Sequence, residues 1–364
     1  MMVIDSHLDL AWNAVNWNRD LTRPVSEIRA SEAGMKDERR GHNTVAFPEM
    51  RKGRVAVCLA TLLARGSGLS EPLLDWSSRE IASAVARGQL SYYQIQERAG
   101  RMRMLKDWPA LKSHAESWSG LAGSTGESLP PQPTPPLGFI LSMEGADPIL
   151  SPADVPEWWE DGLRVVGPAH YGPGAYAHGT GPTGGLTPAG VELLKEMAKA
   201  GMVLDVTHLS EESFWQAIEH FPGPILASHN NCRALVPGAR QFSDDQIRTL
   251  VKRGAVIGAA FDSWMLYPNY VKGQTDNSLV RISAVTNHID HVCQLAGNAR
   301  HAAIGSDLDG GFGTEQSPHE LDTIADLQKI PPLLAQKGFK PEDIEAVMHG
   351  NWLRFFESAW GKRL

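Results

Sequence analysis

The sequence predicts an α/β protein folded as a (β/α)8 TIM-type barrel, and three observations carry that expectation. First, eight short runs rich in Val, Ile and Leu recur along the chain: VIDSHLD (3–9), VAVCLAT (55–61), FILSMEG (139–145), RVVGPAH (164–170), MVLDVTH (202–208), PILASH (224–229), AVIGAAF (255–261) and AAIGSDLDG (302–310). Such runs are what strands buried on both faces look like. Second, helical patterns separate most of them, which is the sequence form of a parallel barrel. Third, six runs end on residues able to hold a metal or move a proton: His7 with Asp9, Glu144, His170, His208, His229 and Asp307. Strand C-terminal ends share one mouth in a parallel barrel, so these side chains would meet there.

The helices follow from their own signals. Residues 77–104 form a long amphipathic stretch, and 187–200 open with a Thr N-cap and a Pro in the first turn, ending at Gly201. Residues 210–220 and 243–252 each begin with Ser followed by two acids, which suit a helix N-terminus. A further helix spans 278–296 and closes against Gly297. His208 and His229, one helix and one strand apart, stand at the ends of adjacent strands. The whole chain, 1–364, reads as a single barrel domain with an irregular insert around 64–136, whose Pro-rich tract at 129–136 reads as a surface loop of polyproline character.

Composition excludes several classes. With 42% hydrophobic and 21% charged residues over 364 positions, the chain can bury a large core. A net charge of −8 offers no basic footprint for nucleic acid and no polybasic membrane patch. No run approaches the roughly 18 apolar residues of a membrane helix, and the N-terminus has no secretory-signal pattern. Cys58, Cys232 and Cys293 lack CxxC spacing and read as reduced, buried thiols, so a cytoplasmic protein is expected.

Singly, each candidate has an ordinary structural reading. His7-x-Asp9 can cap a strand, Glu144 can pair with an Arg, His170 in GPAHYG can hydrogen-bond its loop, and Arg240 in LVPGAR reads as a surface arginine. Asp307 and Asp309 in SDLDG can terminate a strand and start a turn. Their joint occurrence at strand ends shifts the balance. Residues two apart on a strand face the same side, so His7 and Asp9 can converge on one cation. With Glu144, His208 and His229 they supply three nitrogens and two carboxylates, enough for two divalent ions if one carboxylate bridges.

DSHLDL, SMEGAD, GGLTPAG, DVTHLS, SHNNCRAL, IGSDLDGG and GNWLRFF, in that order, resemble the membrane dipeptidase (renal dipeptidase) family of zinc peptidases, peptidase family M19, among the amidohydrolase-like barrels. The resemblance covers nearly the entire chain. It implies a metal-dependent hydrolase with two Zn2+ per chain: His7 and Asp9 on the first, His208 and His229 on the second, with Glu144 and a hydroxide bridging both. It further implies that His170 steadies the oxyanion, that Arg240 binds the dipeptide's C-terminal carboxylate, and that Asp307 relays a proton to the leaving amine. A homodimer is implied as well.

The chain also departs from the animal enzymes. It shows no lipid-anchor signal or disulfide pattern, so no membrane attachment is expected, and AHYGPGAYAHGTGPTGG replaces an Asn-rich stretch. His178 within it competes with His170 for the oxyanion role, whereas His288 and His291 read as structural. The leading expectation is a dipeptidase acting on small dipeptides, C-terminal D-residues included. A dizinc amidohydrolase for a cyclic amide, lactam or N-acyl amino acid is the alternative within the fold. A metal-retaining binding protein without turnover is the alternative outside catalysis.

Overall fold

The computed structural model describes residues 1–37, 39–120 and 135–361. Nine strands among them form one parallel sheet: β1 Val3–Leu8, β2 Val55–Leu63, β3 Met102–Met104, β4 Leu137–Glu144, β5 Leu163–Gly167, β6 Val203–Asp205, β7 Ile225–Leu226, β8 Ile257–Ala259 and β9 Ala302–Ile304. Neighbours run β7-β6-β5-β4-β2-β1-β9-β8. A parallel bridge between Ala227 and Ile257 then brings β7 onto β8 and closes an eight-stranded barrel. Every residue of those eight strands is buried, as expected when helices cover the outside and side chains fill the inside. All eight apolar runs of the sequence are barrel strands.

The extra strand, β3, pairs with the first residues of β4, Leu137 to Phe139, below the point at Leu141 where β5 joins. Its three residues carry no periodic signal, and the expected 77–104 helix is in fact Arg79–Arg98 followed by a turn and β3. Likewise the 278–296 helix begins at Ser283, after a short 3-10 turn at Asn277–Leu279. The insert is less irregular than its sequence indicates, since it holds the Arg79–Arg98 and Trp108–Ser119 helices. Most of the Pro-rich tract lies outside the described residues. The helices at Pro188–Ala200, Glu211–His220 and Asp244–Lys252 stand where expected, their N-termini capped by Thr187, Ser210 and Ser243.

Two devices hold the barrel wall beneath the mouth. A Cβ on Gly305 would lie 1.8 Å from Ser228 O and 2.9 Å from Gly258 Cα, and one on Gly258 would lie 2.1 Å from the same carbonyl. Only glycine lets β7, β8 and β9 approach this closely around the Ser6 hydroxyl, which donates to Ser228 O at 2.5 Å and Ile304 O at 3.1 Å. The GNWLRFF motif fastens both ends of β9: Asn351 Nδ2 donates to Ala299 O and Ala302 O, and Trp352 Nε1 to Ile304 O.

Gly305→Ala forces backbone apart where no flexible side chain can yield. It is expected to cost about 2–3 kcal/mol, the upper range for overpacking a core, read as a lowered urea midpoint with an unchanged m-value.

Candidate active site

Four strands deliver a side chain to the mouth by the same local geometry, and β1 and β4 do so from the strand end itself. His170, His208, His229 and Asp307 lie three residues beyond the ends of β5, β6, β7 and β9, while Glu144 is the last residue of β4 and His7 and Asp9 flank the end of β1. Buried carboxylates shape these turns. Asp5 accepts from Ser306 N, Ser306 Oγ and His7 N, and Asp205 accepts from Thr207 N and Ser228 N. His208 and Asp307 adopt left-handed backbone, φ 66° and 59°. Such strain costs on the order of 1–3 kcal/mol per residue and tends to collect at functional sites.

The side chains form two groups around Glu144. On one side, His7 Nε2 stands 3.6 Å from Asp9 Oδ2, 3.6 Å from Glu144 Oε2 and 3.7 Å from Asp307 Oδ1. On the other, Glu144 Oε1 lies 3.1 Å from His208 Nε2 and 3.4 Å from His229 Nε2, and the two nitrogens are 3.0 Å apart. His7 Nε2, Asp9 Oδ1 and Glu144 Oε1 are buried without a hydrogen-bond partner. Acceptor atoms outnumber donors here: Arg240 Nη2, 3.3 Å from His208 Nε2, and a protonated His7 are the donors at hand. That arrangement is unfavourable unless a cation joins it. Ligand atoms 2.0–2.2 Å from a tetrahedral zinc stand about 3.3–3.6 Å apart, and the separations here run from 3.0 to 3.7 Å around that spacing.

The surroundings sort the other candidates. Arg240, a surface arginine by its local sequence but a carboxylate-binding residue by the resemblance, is buried, donating to Asn230 Oδ1 at 2.7 Å and His229 O at 2.9 Å, with Nη2 3.3 Å from His208 Nε2. Among the described residues no carboxylate forms an ion pair with it. His170 faces the same cavity, its Nε2 3.7 Å from Glu144 Oε2. His178 instead bonds Gly185 O through Nδ1 and does not line the cavity, so the geometry favours His170 of the two. Asp309 is consumed by bonds from Thr44 N, Thr44 Oγ1 and Val45 N, which leaves Asp307 as the aspartate facing the mouth. His288 accepts from Cys232 N and His291 pairs with Asp244, both away from the cavity.

Of the cavity residues that the sequence reading did not single out, two charged ones follow barrel strands. Arg65 lies two residues beyond β2 and touches His170, and Asp262 lies three beyond β8, held by Gln316 Nε2 at 2.8 Å. The signal was available: both follow apolar runs, as the six others do. The cavity measures 390 Å³, at the small end of the about 300–1,000 Å³ usual for ligand clefts.

The sequence profile of the membrane dipeptidase family, peptidase family M19, matches residues 1–361. The chain belongs to that family. It is a metallo-dipeptidase, and the two side-chain groups around Glu144 lie at its barrel mouth. A protein of Klebsiella pneumoniae described as uncharacterized, from the pqqA 5′ region, is 30% identical over 233 residues, covering 62% of this chain and 83% of that one. Dipeptidase aclJ of Aspergillus oryzae is 29% identical over 226 residues, 60% of this chain and 50% of its own length. The metallopeptidase of Rhodobacter sphaeroides, solved with a phosphinate mimic of L-Ala-D-Ala, superposes with a TM-score of 0.77 at 22% identity, covering 99% of both chains. At that identity the likeness is one of fold.

The electrostatics of this metallo-dipeptidase set protons against cations. Burial disfavours a charged His7, yet Glu144, Asp9 and Asp307 outweigh it and push His7 up to about 10. Burial pushes Glu144 up to about 7, with His7 opposing. His208 and His229 are held well below the usual histidine range, by burial first and then by neighbouring cationic groups, so they are neutral, as ligands must be. Without a cation, His7 therefore carries a proton at neutral pH, and Glu144 takes one as pH falls through about 7. A cation bound by His7 and Glu144 would have to displace both protons.

As pH is lowered, affinity for added zinc is accordingly expected to fall about tenfold per unit down to pH 7 and more steeply below it, one decade for each proton displaced. Competition with a chromophoric chelator between pH 6 and 8 measures this slope. A pH-independent affinity would contradict the assignment of His7 and Glu144 as ligands.

Proposed function

We propose that this metallo-dipeptidase hydrolyses small dipeptides with two zinc ions, held by His7 and Asp9 on one side, His208 and His229 on the other, and Glu144 between them. The observation that carries the substrate is Arg240: a buried guanidinium without an acidic partner, beside the second ligand group in a small cavity. Two acceptors orient it, and its remaining N–H groups match a carboxylate through parallel bonds. A free C-terminus one residue from the scissile bond meets that requirement.

Cations held by these five residues would supply Lewis acidity and would lower the pKa of the attacking water toward neutral. The chain's own residues do the rest. Arg240 fixes the substrate carboxylate, and His170 donates to the carbonyl oxygen as negative charge develops on it. Asp307, raised well above the usual carboxylate range by burial, with His7 opposing and Glu144 and Asp9 adding to the rise, accepts the proton of the attacking water. The C–O bond forms as Asp307 takes that proton, and Asp307 returns it to the amine nitrogen as the C–N bond breaks. The L-Ala-D-Ala mimic bound by the Rhodobacter sphaeroides protein supports counting C-terminal D-residues among the substrates. The three free, buried cysteines fit a reducing compartment and hence a cytoplasmic enzyme. Among the described residues no helix is long and apolar enough to cross a membrane.

A panel of L-L and L-D dipeptides, assayed after chelator treatment and zinc readdition, tests the reading. Turnover restored by zinc is the expected result; a fully metallated protein that cleaves hydantoins or lactams but no dipeptide would overturn it. Asp307→Asn is expected to keep its metal and lower kcat by about 10²–10⁴, the range for a lost general base; wild-type turnover would remove Asp307 from the relay. Arg240→Ala is expected to raise KM about 10- to 100-fold on free dipeptides, consistent with lost charged hydrogen bonds. An equal loss on C-terminally amidated dipeptides would contradict the carboxylate contact.

A further inference from the structure

Three histidines, His170, His208 and His229, turn Nε2 toward Glu144, and Glu144, His170 and His208 together have the spacing of a metal-ligand group. Position alone therefore leaves His170 as eligible for a cation as the other two. What separates them is the atom behind each ring. Thr180 Oγ1 lies 3.1 Å from His208 Nδ1 and donates its own hydrogen to His208 O. Ser228 Oγ lies 2.9 Å from His229 Nδ1 and donates to Thr207 Oγ1. Each hydroxyl proton is used elsewhere, so each oxygen accepts Nδ1–H and leaves an Nε2 lone pair facing the centre.

Behind His170 the polarity is reversed. Arg65 Nη1 stands 2.7 Å from His170 Nδ1. A guanidinium has five donors and no acceptor, so this contact is a hydrogen bond only if Nδ1 presents its lone pair. The neutral ring must then carry its hydrogen on Nε2. The guanidinium is itself locked. Asp75 takes Arg65 Nε at 3.0 Å and Nη2 at 2.9 Å, and Ser67 Oγ and Glu71 N donate to the same carboxylate. Both members of the pair are buried, so the geometry does not depend on a surface side chain.

We propose that Arg65, anchored by Asp75, is the positioning residue that holds His170 as its Nε2–H tautomer, excluding it from the metal set and aiming a donor at the scissile carbonyl's oxygen. The second half of this statement rests on the dipeptidase reading above; the tautomer does not. Arg65 acts through His170 and needs no contact with substrate.

The test is the tautomer itself, read by long-range 1H–15N correlation on zinc-loaded protein labelled with 15N-histidine, with His170 assigned by its loss in His170→Gln. The expected spectrum has the His170 hydrogen on Nε2 and those of His208 and His229 on Nδ1. A His170 protonated on Nδ1 would overturn the proposal without any variant. Arg65→Met combined with Asp75→Asn removes both charges and leaves neither buried ion unpaired. It is expected to shift His170 toward a mixed tautomer and lower kcat about 10- to 100-fold, the usual effect of losing a partner behind an active-site histidine, with KM within about threefold. Arg65→Lys, also donor-only, is expected to restore part of the rate and the Nε2–H signal. A double variant with wild-type kcat and an unchanged His170 signal would overturn the role of Arg65. An Nε2–H His170 in protein that cleaves no dipeptide supports the tautomer assignment while overturning the substrate reading.

Discussion

Glu144 ends β4 with both carboxylate oxygens buried and turned in opposite directions, Oε2 toward His7 and His170, Oε1 toward His208 and His229. A carboxylate so placed, with Oε1 lacking any hydrogen-bond donor, is costly to bury. Everything around the mouth follows from having to satisfy it. Side chains from β1 approach from one side and side chains from the ends of β6 and β7 from the other, and both groups reach it only because the barrel closes tightly. That closure depends on the glycine pair Gly258 and Gly305 beneath the Ser228 carbonyl. A wider barrel would separate His7 from His229, whose rings lie 3.8 Å apart.

Around this pair of ligand groups the protein arranges charge by hydrogen-bond polarity. Oxygen atoms sit behind the rings of His208 and His229 and a guanidinium sits behind His170. Arg240 is oriented by an amide oxygen and a backbone carbonyl, not by a carboxylate, so its positive charge stays directed into the cavity. Asp309 spends its oxygens on the 44–45 segment while Asp307, two residues earlier, keeps its own for the mouth. Residues of one type thus do different work according to what touches them from behind.

Much of this was legible in the sequence, for physical reasons. A strand buried on both faces needs an unbroken apolar run, so a titratable residue at its end stands out, and all six such endings lie at the mouth. The same rule also holds for β2 and β8, which end toward Arg65 and Asp262. Both escaped because the runs VAVCLAT and AVIGAAF stop short of the charge. Arg240 could not be placed by pattern: it sits in a loop eleven residues past His229, and only tertiary packing buries it. His170 and His178 share one Gly-rich segment, and local sequence cannot show that Gly185 O captures the second. β3 is too short for periodicity to register.

The central claim is that one carboxylate serves two cations, and the direct measurement is the zinc bound per chain in Glu144→Gln against wild type, by elemental analysis after equilibrium dialysis. A neutral amide cannot offer an anionic oxygen to each side. The account predicts two zinc ions in the wild type and at most one, weakly held, in the variant, with the fold retained by circular dichroism. Two tightly held ions in both proteins would contradict it.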